Sequence, residues 1–342
     1  CTSMERLLIT LILVCTMNNI INAQNPFYGQ YHTPHETVPF DRIKTEHYEP
    51  AILEGIRLQN AEIEAIIQNP EKADFTNTIE AFDKSGELLD KVVAVFGNML
   101  SAETNDDLQE LAQKIMPLLS EHSNNITLNE KLFARVKEVY NQKEALQLTQ
   151  EQKQLLENAY NSFVRHGANL EGEAREEYRR LTTELSKLTL TFSENSLKET
   201  NAYQMLLTKK ESLAGLPEII IEAAAETAKS EGKEGWAFTL HAPSYVPFMT
   251  YSDNRDLRQK LYMAYNTKCT HDNEFNNIDI VKKIANTRMK IAQLLGYKDY
   301  AEYTLKKRMA ENSKSVYKLL NQLLEAYTPT AQQEYKEIQE LA

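Results

Sequence analysis

Apolar residues recur at helical spacing along most of the chain. Five isoleucines between residues 52 and 67 fall on one side of a helix: Ile52, Ile56, Ile63, Ile66 and Ile67. A second stripe contains Tyr178, Leu181, Leu185 and Leu188. A third contains Ile280, Ile284, Ile291 and Leu294. A repeat of three to four residues predicts amphipathic helices that each bury one face, so the fold is predicted to be mainly α.

Two short segments instead have the pattern of β-strands. Residues 236–240 alternate large apolar and small side chains, and residues 248–251 are similar. Alternation of this kind is typical of a half-buried strand. We therefore predict a small antiparallel β element around residues 236–251.

Polar residues mark several predicted helix starts. Residues 75–78 predict the capped start of a helix whose apolar residues continue over 79–100. Two pairs have the spacing of capping boxes: Thr104 with Asp107, and Thr149 with Gln152. Thr328 followed by Pro329 predicts the start of the last helix, because proline is well tolerated in a first helical turn.

Both ends of the sequence lead us to expect a fragment. Cys1 precedes the first plausible initiator, Met4. Apolar residues in the last segment, the final one being Leu341, repeat every three positions up to Ala342 without a stop signal.

The N-terminal residues 4–23 have the pattern of a secretory signal. Arg6 is followed by a short apolar run over 7–14, and Ala23 ends a plausible cleavage site. We expect a secreted or periplasmic protein. A lipid anchor at Cys15 is the less favoured alternative, because Val14 is bulkier than the small residue that usually precedes a lipidated cysteine.

The remaining chain is predicted to form two helical subdomains. Residues 24–214 form the first, and 215–342 begin the second, with the break at Gly215 followed by Leu216 and Pro217. Only 10 glycines and 10 prolines occur in 342 residues, which favours long helices over a sandwich or barrel. The net charge of −11 argues against nucleic acid or an anionic membrane as a partner.

Cleavage after residue 23 would leave one cysteine, Cys269. No internal disulfide could then form. His271 lies two residues away, but a Cys–His pair without an orienting third group is weak support for a nucleophile. An inert cysteine is the favoured interpretation.

Four other candidates for chemistry remain in the sequence. The possible metal ligands are His32, His35, Glu36 and His47, in a segment that Pro34 and Pro39 make irregular. The acidic group is Glu171, Glu173, Glu176 and Glu177, which alternates with Arg175, Arg179 and Arg180 and is interpreted as a solvated face held by i,i+4 pairs. His241 could touch a substrate, but a hydrogen-bonded structural histidine is favoured. The aromatic group is Trp236, Tyr245, Phe248 and Tyr251. Two interpretations stay open for it, the lining of a peptide cleft and packing in the core.

Blocks of residues in a fixed order carry a family resemblance. One block contains Leu295, Gly296, Tyr297, Tyr300, Ala301, Tyr303, Leu305, Met309 and Ala310. Another contains Gly235, Trp236, Ala237, Phe238, Thr239, Leu240, Pro243, Ser244, Tyr245, Pro247 and Tyr251. Together with shorter blocks from Pro39 onward, they resemble the peptidyl-dipeptidase and oligopeptidase A branch of the thimet oligopeptidase family of zinc peptidases.

The resemblance implies a channel-type, neurolysin-like fold in which this chain supplies helices of one wall. It also implies zinc in the full-length enzyme, short peptides as substrates and a monomer. The family's zinc motif, HExxH, does not occur in the sequence, and His35-Glu36 lacks the second histidine. We therefore assign no catalytic, cofactor-binding or metal residue and expect the fragment to be inactive. The alternative is a non-catalytic helical peptide-binding protein, complete as written.

Overall fold

The computed structural model describes residues 25–341, so the predicted signal segment 4–23 lies outside the described residues. In chain order the helices are α1 (Thr45–Gln68), α2 (Glu87–Ala102), α3 (Asp106–Thr127), α4 (Glu130–Asn141), α5 (Gln150–Arg165), α6 (Gly172–Ala202), α7 (Glu218–Ser230), α8 (Ala242–Tyr251), α9 (Arg255–Asn266), α10 (Ile278–Leu294), α11 (Tyr300–Leu305) and α12 (Ser313–Leu341). The strands are β1 (Gln204–Leu207) and β2 (Trp236–Thr239). The predicted mainly α fold is confirmed.

The chain forms two compact units. Unit 1 comprises the described part of residues 1–183 together with 287–341, and unit 2 comprises 184–286. Helices α6 and α10 contribute residues to both. Gly215 lies inside unit 2, and the predicted subdomain boundary there stays a prediction.

The core of unit 1 is built by the helical stripes that the sequence shows. Ile52, Ile63 and Ile66 of α1 are buried, as their spacing predicts. One apolar cluster joins α1, α4 and α5, and it includes Ile63, Ile66, Phe75, Ile79, Leu132, Phe133, Val136, Val139, Leu156 and Phe163. Burial of these side chains is the main favourable contribution to folding of this unit.

A glycine allows α1 and α2 to approach each other closely. A Cβ atom at Gly55 would lie 2.9 Å from the backbone N and Cα of Leu89. Only a residue without a side chain fits at this crossing.

The predicted helix starts are partly confirmed. Thr149 and Gln152 form the expected reciprocal capping box, with Thr149 Oγ1 accepting from Gln152 N at 3.3 Å. The prediction at Thr104 is wrong by one residue. The cap of α3 is Asn105, whose Oδ1 accepts from Leu108 N at 2.9 Å.

The single helix predicted over 79–100 is wrong. Asp74 caps a π-helical turn, Phe75–Glu80, that continues into Ala81–Asp83 and then ends. Gly86 follows with φ of +85°, and its N–H donates to Glu62 Oε2 at 2.8 Å. A left-handed residue cannot continue a right-handed helix, so α2 starts anew.

The predicted β element is half correct. β2 forms where residues 236–240 predict it, but its antiparallel partner is β1, with Met205 opposite Phe238. Residues 248–251 lie in helix α8 instead. Tyr245, Phe248 and Met249 have the i, i+3, i+4 spacing of a helix face, and this face packs on the core of unit 2.

The last helix is longer than predicted. α12 runs without interruption from Ser313 through Pro329, so Thr328 does not start a helix. The Thr328 hydroxyl donates to the Leu324 carbonyl at 2.6 Å inside it. No residue of α12 is buried. Among residues 25–341, no helix has a stretch long and apolar enough to span a membrane.

Candidate functional site

Three tyrosines meet on the surface of unit 2, and we call them the tyrosine cluster: Tyr245 of α8 with Tyr262 and Tyr265 of α9. The rings of Tyr245 and Tyr265 stack with centroids 4.1 Å apart and planes at 19°. Burial raises the pKa of Tyr245; a hydrogen bond with Asn266 opposes this, and the neighbouring Tyr265 and Tyr262 add to the rise. Its hydroxyl therefore stays protonated at neutral pH and can donate a hydrogen bond.

The core packing of unit 2 orients this cluster. Leu257, Leu261 and Ala264 of α9 face the core. Position 262 consequently points outward and Tyr262 is 50% exposed, whereas position 265 lies at the edge of this face and Tyr265 is 38% exposed. Phe248 fixes α8 through an edge contact with Phe238, the ring centroids being 4.6 Å apart.

Lys268 adds a positive charge to the cluster. Its Nζ lies 4.4 Å from the centroid of the Tyr265 ring and donates to Thr200 Oγ1 at 3.2 Å. Exposed aromatic faces next to an ammonium group can hold an apolar side chain and a carboxylate at the same time. A short peptide offers both.

An open cavity of about 810 Å³ in unit 1 is a second candidate. Tyr28 and Tyr31 line it, together with four carboxylates: Glu36, Glu54, Glu62 and Glu87. The carboxylates give the cavity a negative charge that suits a cationic group.

Two of these carboxylates already have partners within the protein. Glu54 accepts from Arg57 at 2.6 Å, and this hydrogen bond lowers the pKa of Glu54. Glu62 accepts from the backbone of Gly86. Lys91 Nζ donates to the Gly29 carbonyl at 2.8 Å and lies 4.1 Å from the centroid of the Tyr31 ring. Burial lowers the pKa of Lys91.

The comparisons with known proteins identify the family. Residues 248–342 match the model of peptidase family M3. The chain is 33% identical over 320 residues, or 93% of its length, to a dipeptidyl carboxypeptidase of Escherichia coli (strain K12). It is 32% identical over 304 residues, or 88% of its length, to an oligopeptidase A of Haemophilus influenzae. The chain belongs to peptidase family M3. The resemblance drawn from the sequence blocks is confirmed.

The chain spans about half the length of the curated relatives it matches. The aligned part covers 47% of the Escherichia coli protein and 44% of the Haemophilus influenzae protein. A probable cytosolic oligopeptidase A of Arabidopsis thaliana, 28% identical, is covered over 46% of its length.

Residues 25–341 do not provide a set of ligands that fits a zinc site. Among residues 25–341, no three His, Cys, Asp or Glu side chains come together in a way that could hold a metal ion. In the histidine-rich N-terminal segment, His32 and His35 are exposed. The ring of His47 accepts from Lys44 N at 3.0 Å, which ties it to the start of α1.

The acidic group at the start of α6 is a solvated face, but the partners of its arginines differ from those predicted. Arg180 bonds to Glu177 at 2.7 Å with a spacing of three residues rather than four. Arg175 bonds to Glu130 of α4, and Arg179 bonds to Asn125 of α3. These three bonds differ from the predicted i,i+4 pairs, since two of the arginines reach other helices.

His241 precedes α8 and is hydrogen-bonded on both ring nitrogens. Nδ1 lies 3.0 Å from Thr239 Oγ1, and Nε2 lies 3.1 Å from Asn201 Oδ1. These bonds match the structural interpretation, since they fix the ring between β2 and α6.

Cys269 is free and buried, and burial raises its pKa to about 11. A thiol with so high a pKa is a poor nucleophile at neutral pH. Glu199 accepts from the backbone N–H of Cys269. His271 lies beside Thr267, at 3.2 Å between Nε2 and Oγ1.

The predicted aromatic group separates into core residues and surface residues. Phe248 is fully buried, and Trp236 packs against the same core, so both belong to the core. Tyr245 belongs to the tyrosine cluster, and Tyr251 is exposed. Tyr262 and Tyr265 were missed from the sequence; their signal is a spacing of three on α9, beside the buried face that contains Leu261.

Proposed function

We propose that this chain is the N-terminal half of an exported zinc peptidase that hydrolyses short oligopeptides in the manner of a peptidyl-dipeptidase. The observation that carries the proposal is the 33% identity over 93% of the chain to a protein named dipeptidyl carboxypeptidase. Coverage of 47% of that relative supports a division in which the catalytic residues belong to the other half.

Zinc belongs to the full-length enzyme in this proposal. A zinc ion in a peptidase lowers the pKa of a bound water and polarises the peptide carbonyl. No catalytic step is placed on residues 25–341, because they contain no suitable set of ligands.

This half contributes to peptide binding. Tyr262, which is half exposed, offers its ring to an apolar side chain, and Lys268 offers a charge to a carboxylate. Binding groups of this kind hold a flexible peptide in position before one of its bonds is cleaved elsewhere in the enzyme.

The full-length protein from the complete gene tests the proposal. An N-blocked tripeptide amide and its free acid are incubated with it, and the products are identified by mass spectrometry. Release of a C-terminal dipeptide from the free acid, abolished by a chelator and restored by zinc, is expected. The 342-residue chain is expected to release nothing. Cleavage by the 342-residue chain, or chelator-insensitive cleavage by the full-length protein, would contradict the proposal.

Export follows from the predicted signal segment 4–23. The mature protein is expected to begin at Gln24, and mass spectrometry of its N-terminal peptide measures this. A protein that keeps Met4 would contradict export by cleavage. A lipid on Cys15 would favour the anchored alternative.

A further inference from the structure

Helix α12 has an apolar face. At 100° per residue, most of its large apolar side chains fall within about a third of the helix circumference. We call this set the α12 apolar face: Val316, Leu320, Leu323, Leu324, Tyr327, Tyr335, Ile338 and Leu341. The face runs from Val316 to Leu341 of this 29-residue helix and so extends over about 37 Å.

The opposite side of α12 is mainly polar. It presents Lys314, Lys318, Gln322, Glu325, Gln332, Lys336 and Glu340. A helix meant to stand in water on all sides would be polar all round. The division into two faces is that of a helix packed on one side.

The α12 apolar face has no cover among residues 25–341. Leu320 is 51% exposed and Leu324 is 66% exposed, whereas Ile52 on the corresponding stripe of α1 is fully buried. Monomeric proteins rarely leave an apolar surface of this length in contact with water.

The occupant follows from the comparison of lengths. The chain covers 47% of a 33% identical relative, and α12 lies within the residues 248–342 that match the family model. A second copy of this chain is a poorer occupant, because a net charge of −11 on each copy opposes their association.

We propose that the α12 apolar face is the surface on which the remaining half of the full-length polypeptide packs. This inference rests on the proposed function, since it requires that a second half exists. It assigns to α12 the role of joining the two halves of the enzyme.

Thiol labelling of two matched variants tests this role. Leu320→Cys lies on the apolar face, and Gln322→Cys lies on the polar face of the same turn. In the 342-residue chain both positions are exposed and are expected to react at similar rates. In the full-length protein, Leu320→Cys is expected to react at least about tenfold more slowly than Gln322→Cys. Native Cys269 adds little background because it is buried and its pKa is raised.

The outcomes separate the two proposals. Equal labelling rates at both positions in a full-length enzyme that cleaves peptides would overturn the role of α12 and leave the proposed function standing. Protection of Leu320→Cys that disappears on dilution would point to a second copy and would overturn it as well. Protection that is independent of concentration in a protein without peptidase activity would support α12 and overturn the proposed function. A reading frame that ends at residue 342 would overturn both.

Discussion

Arg165 and Tyr303 join two parts of unit 1 that are 138 residues apart in sequence. The guanidinium carbon lies 4.3 Å from the centroid of the Tyr303 ring, and Nη2 donates to the Tyr303 carbonyl at 3.0 Å. The Tyr303 hydroxyl donates to the Arg165 carbonyl at 3.4 Å. The pair fastens α11 to the end of α5.

Loss of the Tyr303 ring is expected to weaken unit 1. Tyr303→Ala should lower the free energy of unfolding by about 2 kcal/mol, because it removes a desolvated cation–π contact and apolar burial. Tyr303→Phe is the matched control. It keeps the ring and loses only a long hydrogen bond, so it should cost much less. Urea unfolding followed by circular dichroism measures both, and equal losses would show that the ring contact contributes nothing.

Two glycines predict opposite effects of the same substitution. Gly55→Ala should lower the free energy of unfolding by about 1–3 kcal/mol, because the new methyl would collide with the backbone of Leu89. Gly97→Ala in α2 meets no atom within 4 Å and should raise stability by about 0.5–1 kcal/mol through helix propensity. Thermal unfolding measures both. Stabilisation by Gly55→Ala would show that α1 and α2 do not cross here.

His122 predicts a dependence of stability on pH. It is buried, its Nε2 lies 2.7 Å from Gln59 Oε1, and burial lowers its pKa. Below about pH 6.5 the unfolded chain binds the proton more readily than the folded protein does, so stability falls as the pH drops. The loss continues until the pH passes the lowered pKa of the folded state.

His122→Gln should therefore flatten the change in unfolding free energy between pH 7 and about pH 5. Urea midpoints at several pH values measure the slope. His32→Gln, at an exposed position, should leave the slope as it is. An unchanged slope in His122→Gln would assign the acid sensitivity to other groups.

The tyrosine cluster predicts an effect on substrate affinity in the full-length enzyme. Tyr262→Ala should raise KM about fivefold with little change in kcat, because one aromatic contact is worth about 1 kcal/mol and ground-state binding is lost. Tyr251→Ala is the matched control, since Tyr251 is 51% exposed and Tyr262 is 50% exposed. Equal effects of the two substitutions would remove the cluster from the peptide-binding surface.

The helical part of the fold could be predicted because its signals are local. The isoleucines of α1 and the Thr149 capping box depend only on residues within a few turns of each other. The partner of β2 could not be predicted in this way. Met205 pairs with Phe238, 33 positions further along the chain, and the four residues of β1 follow a long helix without a turn signal of their own.

The candidate site was less accessible from sequence for a similar reason. The stack of Tyr245 on Tyr265 depends on how α8 and α9 pack, which no single stretch of sequence specifies. Residues 248–251 were misassigned to a strand because their alternation over four residues also fits a helix with Phe248 and Met249 turned inward. Short apolar runs are ambiguous in this respect.

Trp236 is the only tryptophan in the chain, and it lies in β2 opposite Leu207, against the core of unit 2. Fluorescence excited at the red edge of the indole band therefore comes from unit 2 alone, without any label. Circular dichroism, by contrast, sums the helices of both units. Coincident transitions by the two methods would mean that the units unfold together, and separate ones would give each unit its own unfolding temperature.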